Sequence, residues 1–210
     1  MYIPKSFQNN NIEKLHQFIE RFNFATLISH NSNETHVTHV PVMLNREQGP
    51  YDTLVWHMAI PNPHAKEFNG SKNALFIFHG PHAYISPAWY KSAPNVPTWN
   101  YAAVHAVGTP ERVSKEQLSR DLTKMVDYQE AQLNENTQYS IPDKYKAKLL
   151  DHIDGFKLEI TRIEGKFKLG QNRSLEDQAG MLYGLKNQKM NGTMTLIDLI
   201  ESFQEAEEAN

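Results

Sequence analysis

Ile12, Leu15, Ile19 and Phe22 recur at helical spacing behind the polar run Asn9-Asn10-Asn11, which predicts a capped helix. The period then shortens. Phe24–Ser29 reads as a strand, His30–Glu34 as a turn, and Thr35–Leu44 as a second strand with Val37 on one face and Val40 and Val42 on the other. Gly49-Pro50 punctuates the chain before a third strand over Thr53–Ile60. Pro63 then suits the first turn of a short helix ended by Gly70. Asn73–His79 is continuously apolar, as expected of a strand buried on both faces. Gly80-Pro81 predicts a turn, and His82–Ser86 returns to strand. The proline-rich stretch 87–97 reads as an irregular surface loop. Asn100–Val113 is a long strand with a bend or bulge expected at Gly108 and Pro110.

Ser114-Lys115-Glu116-Gln117 is a capping-box signature that opens a helix striped with Leu118, Leu122, Met125, Val126 and Leu133. A second helix is predicted over Pro142–Ile153, and Phe156–Leu169 returns to strand with a bulge or turn at Gly165. Ser174 caps a further helix, and Thr195–Phe203 forms the last. Six or seven strands in succession, without alternating βαβ units, exclude a doubly wound sheet. They predict an α+β fold: a small antiparallel barrel with helices packed outside.

Composition narrows the chemistry. The 210 residues can bury a substantial core, and the absence of cysteine excludes a disulfide scaffold, a zinc ribbon, an iron–sulfur site and a thiol nucleophile. Lys and Arg number 21 against 24 Asp and Glu, a formal charge of −3, so no global basic field draws the chain toward nucleic acid. The N-terminus lacks the charged lead and apolar run of a signal peptide, and Ala74–Phe78 is far shorter than the roughly 20 residues needed to span a bilayer. A cytoplasmic protein without a membrane segment is expected. A short acidic tail, Glu205–Asn210, is expected to fray.

Ten histidines invite a metal. His36 and His39 lie three apart on a strand and face opposite ways, whereas His79 and His82 bracket Gly80-Pro81 and could converge. No third ligand has a diagnostic spacing and no HExxH occurs, so no metal is expected. Ser29 and Ser86 sit near strand ends without a GxSxG elbow. No GxGxxG or P-loop is written, so a bound phosphate has to be held by side chains. The candidates are His64 and Lys66, and the cluster Lys166, Lys168 and Arg173, in which alternation sets both lysines on one strand face. Thr98-Trp99-Asn100-Tyr101 offers a hydroxyl, an amide and two rings, either for a planar ligand or for ordinary packing beneath the proline loop. The two helices after Ser114 are joined by too long a loop for a helix–turn–helix, and Lys144, Lys146 and Lys148 spread around their helix.

Longer runs carry a resemblance. Met1-Tyr2-Ile3-Pro4, Phe76–Pro87 with Trp89-Tyr90, Val96–His105 and Gly165–Arg173 resemble the PaiB-type family of FMN-binding negative transcriptional regulators, over Met1 to about Leu185. Phe167 stands where that family more often has Trp, and Gly170 where it usually has Ser. The resemblance implies a Greek-key split β-barrel of the FMN-binding type, related to pyridoxamine-phosphate oxidases and flavin reductases, working as a homodimer with FMN at the subunit interface. It sets His39 and His57 beside the flavin ring and Asn62, His64 and Lys66 near the phosphate. Thr98, Trp99, Asn100 and Tyr101, with Lys168, Gln171, Asn172 and Arg173, complete the pocket. The expected organisation is a split-barrel domain over 1–187, with inserted helices at about 114–153, and a C-terminal helical extension over 188–210.

Three functions follow from this. The first is an FMN-binding homodimer of the regulator type, acting directly or through a protein partner. The second is a flavin-dependent oxidoreductase, either an NAD(P)H:flavin reductase or an enzyme like pyridoxamine-phosphate oxidase. The third is a flavin-free interaction module. No motif marks a proton donor, and the −3 charge predicts no tight, salt-sensitive DNA binding by the isolated dimer.

Overall fold

The computed structural model describes residues 1–31, 33–46, 49, 51–68, 70, 72–133, 142–187 and 193–208. The chain is α+β with antiparallel sheets, and it divides into two compact units. One comprises residues 19–78 and 105–163; the other comprises 1–18, 79–104 and 164–210. The expected boundary at 187/188 and the end of the acidic tail fall outside the described residues.

In the first unit, β2 (Phe24–His30) and β3 (Thr35–Pro41) form a hairpin in which Leu27 opposes Thr38 and Ser29 opposes His36. Opposed residues share a face, so Ala25, Leu27, Ser29, His36, Thr38 and Val40 lie together, and His39 points away with Val37. The opposite orientations expected for His36 and His39 hold. The strand expected over Thr35–Leu44 is two strands. After Val42, whose amide donates to the Asn23 carbonyl, Met43–Asn45 (β4) leaves the hairpin for a second sheet. That sheet runs β4, β5 (Thr53–Ala59), β9 (Ile153–Glu159), β8 (Pro110–Arg112), with Trp56 opposite Phe156. Trp56, Phe68, Phe76 and Phe156 make its aromatic core, the Trp56 ring lying 4.8 Å from Phe76 and 5.6 Å from Phe156. The short helix at Pro63 is a 3-10 turn, Pro63–Glu67, capped by Asn62. Ser114 caps α2 (Lys115–Ala131) by accepting from the Gln117 amide, as its sequence signature predicts. Helix α3 spans Asp143–Leu150, shorter than expected, because Ile153 already pairs with Ala59.

In the second unit, Asn11 caps α1 (Ile12–Arg21) through the Lys14 amide. The sheet order there is β1 (Gln8–Asn9), β10 (Arg162–Lys168), β7 (Thr98–Gly108), β6 (Ala74–Ile85). Two expectations fail here. Gly80-Pro81 does not turn the chain: β6 runs straight through, and its burial alternation slips by one residue because Gly80 and Pro81 are both buried. A slip of this kind tolerates a proline that has no N–H to give the ladder. Gly165 is an ordinary strand residue opposite Asn9, and the break between β9 and β10 falls at Ile160-Thr161. Helices α4 (Leu175–Lys186) and α5 (Thr193–Glu208) close the chain, the latter longer than its apolar periodicity alone predicts. Trp89 lies on α4 at Gly184, where a Cβ would stand 2.2 Å from the indole. Among the described residues no helix is long and apolar enough to cross a membrane.

Candidate functional site

The β6 slip sets His79 and His82 on the same exposed side, with ring centroids 5.0 Å apart. Trp99 and Tyr84, both exposed, lie beside them, the Trp99 ring 6.1 Å from each of His82 and Tyr84. The convergence of the two histidines is as expected, although a slip produces it and a turn does not.

A cluster of cations gathers at the end of β10. Lys168 donates to the Thr98 hydroxyl. Lys166 donates to the Tyr2 carbonyl at 3.1 Å and lies over the Tyr101 ring. Arg173 Nη1 donates to Asn95 Oδ1 at 2.6 Å, with its guanidinium 4.6 Å from the centre of the Tyr90 ring. Desolvation pulls the Lys168 ammonium below its ordinary pKa, and repulsion from Lys166 and Arg173 adds to this, opposed by Tyr101. Three cations gathered this closely make a site suited to an anion.

The loop carrying Tyr90 and Asn95 is tied down by Asp177, which accepts from the Lys91 and Ser92 amides at 2.7 and 3.0 Å and from Ser92 Oγ at 2.6 Å. Those bonds hold the Asp177 carboxyl below the usual carboxylate range. Gln171 spends its amide on closing the turn, accepting from the Leu169 amide and donating to the Phe167 carbonyl. Gly170 has φ +90°, a backbone region that favours glycine, and a Cβ there would stand 2.9 Å from Met181. Asn100 is buried and donates to the Met181 sulfur, whereas Asn172 is exposed.

In the other unit, Asn62 and His64 come together beside a polar crevice of about 400 Å3. His64 is 2% exposed, and each ring nitrogen meets a hydroxyl: Nε2 lies 2.9 Å from Ser29 Oγ and Nδ1 2.8 Å from Thr38 Oγ1. The His36 ring stacks on it at 5.4 Å, and Asn31 links His36 to Glu67. Burial, then the neighbouring His36, outweigh the pull of Glu67 and lower the His64 pKa from 6.5 to about 4. His64 is therefore neutral at pH 7. Lys66 is exposed. His39 lies against Thr26 Oγ1 and the Phe24 ring on the outer face. His57 lines a separate groove against α2, its Nδ1 shielded from solvent and unpartnered among the described residues. Sequence reasoning gave no site role to Tyr90, Asn95 or Asp177, or to Thr38, whose role depends on hairpin register.

The low His64 pKa sets a pH dependence. The unfolded histidine takes up a proton near 6.5 and the folded one only near 4, so this site contributes stability above pH 6.5 that is lost as pH falls to about 4. The contribution is on the order of 3 kcal/mol. Urea unfolding of wild type and His64→Gln should show a gap that narrows across that window. A gap independent of pH removes the neutral-His64 assignment.

A family model described as "Putative FMN-binding domain" matches residues 1–162. The chain belongs to this FMN-binding family. FMN is the cofactor that goes with the family, and the PaiB-type resemblance holds. A relative from Bacillus subtilis (strain 168), "Protease synthase and sporulation protein PAI 2", is 34% identical over 205 residues, covering 96% of this chain and 97% of that protein. Among solved structures, the flavocytochrome Anf3 from Azotobacter vinelandii aligns with a TM-score of 0.62 at 13% identity, over 85% of this chain and 78% of that one. The FAD and heme binding protein from Mycobacterium smegmatis aligns at 0.56 and 15% identity, over 77% and 73%. At such identities the likeness is one of fold, and the fold is the split-barrel class expected.

Proposed function

We propose that the protein binds FMN through the cation cluster at the end of β10 and works as a homodimer of the regulator type. The supporting observation is the gathering of Lys166, Lys168 and Arg173 at the end of β10, where burial and the two neighbouring cations lower the Lys168 pKa, a cost that an FMN phosphate would relieve. The donor set fits such a group: a half-buried ammonium beside the Thr98 hydroxyl, and a guanidinium that Tyr90 and Asn95 hold flat. Trp99, 52% exposed at the start of the strand that carries Tyr101, offers a ring for stacking. When bound, FMN supplies redox chemistry at its ring system. The chain's own part is to bind and orient, and its histidines differ in what they can do. His64 cannot lend positive charge at pH 7, while His39, Asn62 and Lys66 belong to the other compact unit and remain proposed contacts, and His57 opens instead onto the separate groove against α2.

Regulation is proposed to run through a protein partner in the cytoplasm, since a chain of charge −3 is poorly suited to neutralising DNA phosphates. The test is colour and mass. The purified protein titrated with FMN should quench the flavin's fluorescence at one FMN per chain, and light scattering should give twice the chain mass. A colourless protein that leaves FMN fluorescence unchanged rejects the cofactor reading, and a monomer rejects the dimer.

A further inference from the structure

Helix α2 packs over β5 and β9 and leaves a groove of about 230 Å3 beside the junction of β3 and β4. Its walls are mostly apolar, with Val42, Met43, Leu122, Met125 and Val126, and His57 stands among them, while Asn23, Tyr128, Gln129 and Glu130 also line it. The His57 Nδ1 is cut off from solvent and has no hydrogen-bond partner among the described residues. A buried polar atom left without a partner costs free energy that nothing visible offsets. None of the other residues that the resemblance assigns to FMN lines this groove.

We propose that the groove is a second small-molecule site, for a neutral single-ring compound bearing one hydroxyl, of the phenol class, with that hydroxyl meeting His57 Nδ1. Size suits one ring: a cavity of about 150 Å3 takes a benzene, so about 230 Å3 admits a substituted single ring. Charge selects a neutral ligand. No Lys or Arg lines the groove, Glu130 lines it and disfavours an anion, and burial lowers the His57 pKa so that the imidazole is uncharged at pH 7. A hydroxyl matches this imidazole in either tautomer because it both donates and accepts. Met43 and Met125 provide adaptable walls and sulfur contacts to an aromatic ring.

The test uses the full-length protein, 4-fluorophenol and fluorobenzene as paired probes followed by fluorine NMR, and methyl-labelled methionine. Wild type should bind 4-fluorophenol saturably, with a dissociation constant of about 0.1–1 mM. Of the seven methionine methyl signals, those of Met43 and Met125 should move together with the titration. His57→Phe should weaken 4-fluorophenol about tenfold and change fluorobenzene by no more than about twofold. Val126→Trp should block both probes and leave FMN affinity unchanged. The methyl shifts are read on wild type, so they decide the matter even if a variant fails to fold. The proposal is overturned by an absence of saturable binding, by equal affinity for the two probes, or by shifts confined to other methionines. It is equally overturned if FMN displaces the phenol, since the groove then belongs to the flavin site. Shifts of Met43 and Met125 that follow protein dilution would mean that a second copy of the chain fills the groove, and would overturn it as well.

Discussion

Lys168→Ala and Arg173→Ala should each weaken FMN binding about 10- to 100-fold, the range of one charge-assisted hydrogen bond to a phosphate. The two substitutions together should bring binding close to the limit of detection. The same changes should leave the fold intact, and the reasons differ. Lys168 is held near Lys166 and Arg173 at an electrostatic cost, so its removal relieves repulsion in the empty protein. Arg173 reaches Asn95 and Tyr90, but the loop bearing them is separately fastened by three hydrogen bonds to Asp177. Lys168→Arg keeps the charge and should retain most of the affinity. Fluorescence titration with FMN and urea unfolding of the apoprotein measure both halves. Unchanged affinity in Lys168→Ala and Arg173→Ala removes the cluster from the cofactor site. Lost stability with unchanged affinity makes it structural.

The largest effect on stability is expected at Trp56. Its ring is 2% exposed and meets Phe68 and Phe76 edge-on and Phe156 face-on. Trp56→Ala should lower the unfolding free energy by about 3–5 kcal/mol, the range for emptying a buried aromatic site. Trp56→Phe should cost less than about 2 kcal/mol. The indole N–H is buried without a partner among the described residues, and phenylalanine removes that orphan along with part of the ring. Urea midpoints of the two variants at constant m-value measure both losses. A Trp56→Phe loss well above about 2 kcal/mol would show that the N–H is satisfied in solution.

Much of this architecture is legible in the chain because its signals are local. Asn11, Ser114 and Ser174 cap the helices their neighbours predict, and each contributes its side-chain oxygen to a helix N-terminal amide. The alternation Lys166-Phe167-Lys168 sends Phe167 into the core and both lysines toward the same face, so the cation cluster could be anticipated. The errors arise where tertiary packing overrides a local signal. Gly80-Pro81 carries turn chemistry, yet Gly80 is packed beneath the Phe18 ring and the strand continues. The reversal at Ile160-Thr161 has neither Gly nor Pro. It is fixed by bonds from the Ile160 amide to the Asp52 carbonyl and from the Thr161 amide to the Val107 carbonyl, partners remote in sequence. His64 illustrates the same limit: its two hydroxyl partners come from opposite strands of a hairpin, and only the register brings Ser29 and Thr38 to one ring. The His57 groove exists only once α2 is laid on the sheet.

The one-residue slip in β6 acts on that strand as a frameshift acts on a coding sequence. Upstream of it even-numbered residues face inward (Ala74, Phe76, Phe78), and downstream odd-numbered ones do (Ala83, Ile85). Each half keeps its own parity, and the extra residue at Gly80-Pro81 is what joins the two. Deleting Gly80 or Pro81 would remove the slip and restore strict alternation, keeping Ala83 and Ile85 inward, Tyr84 outward, and leaving His79 and His82 two apart on one face.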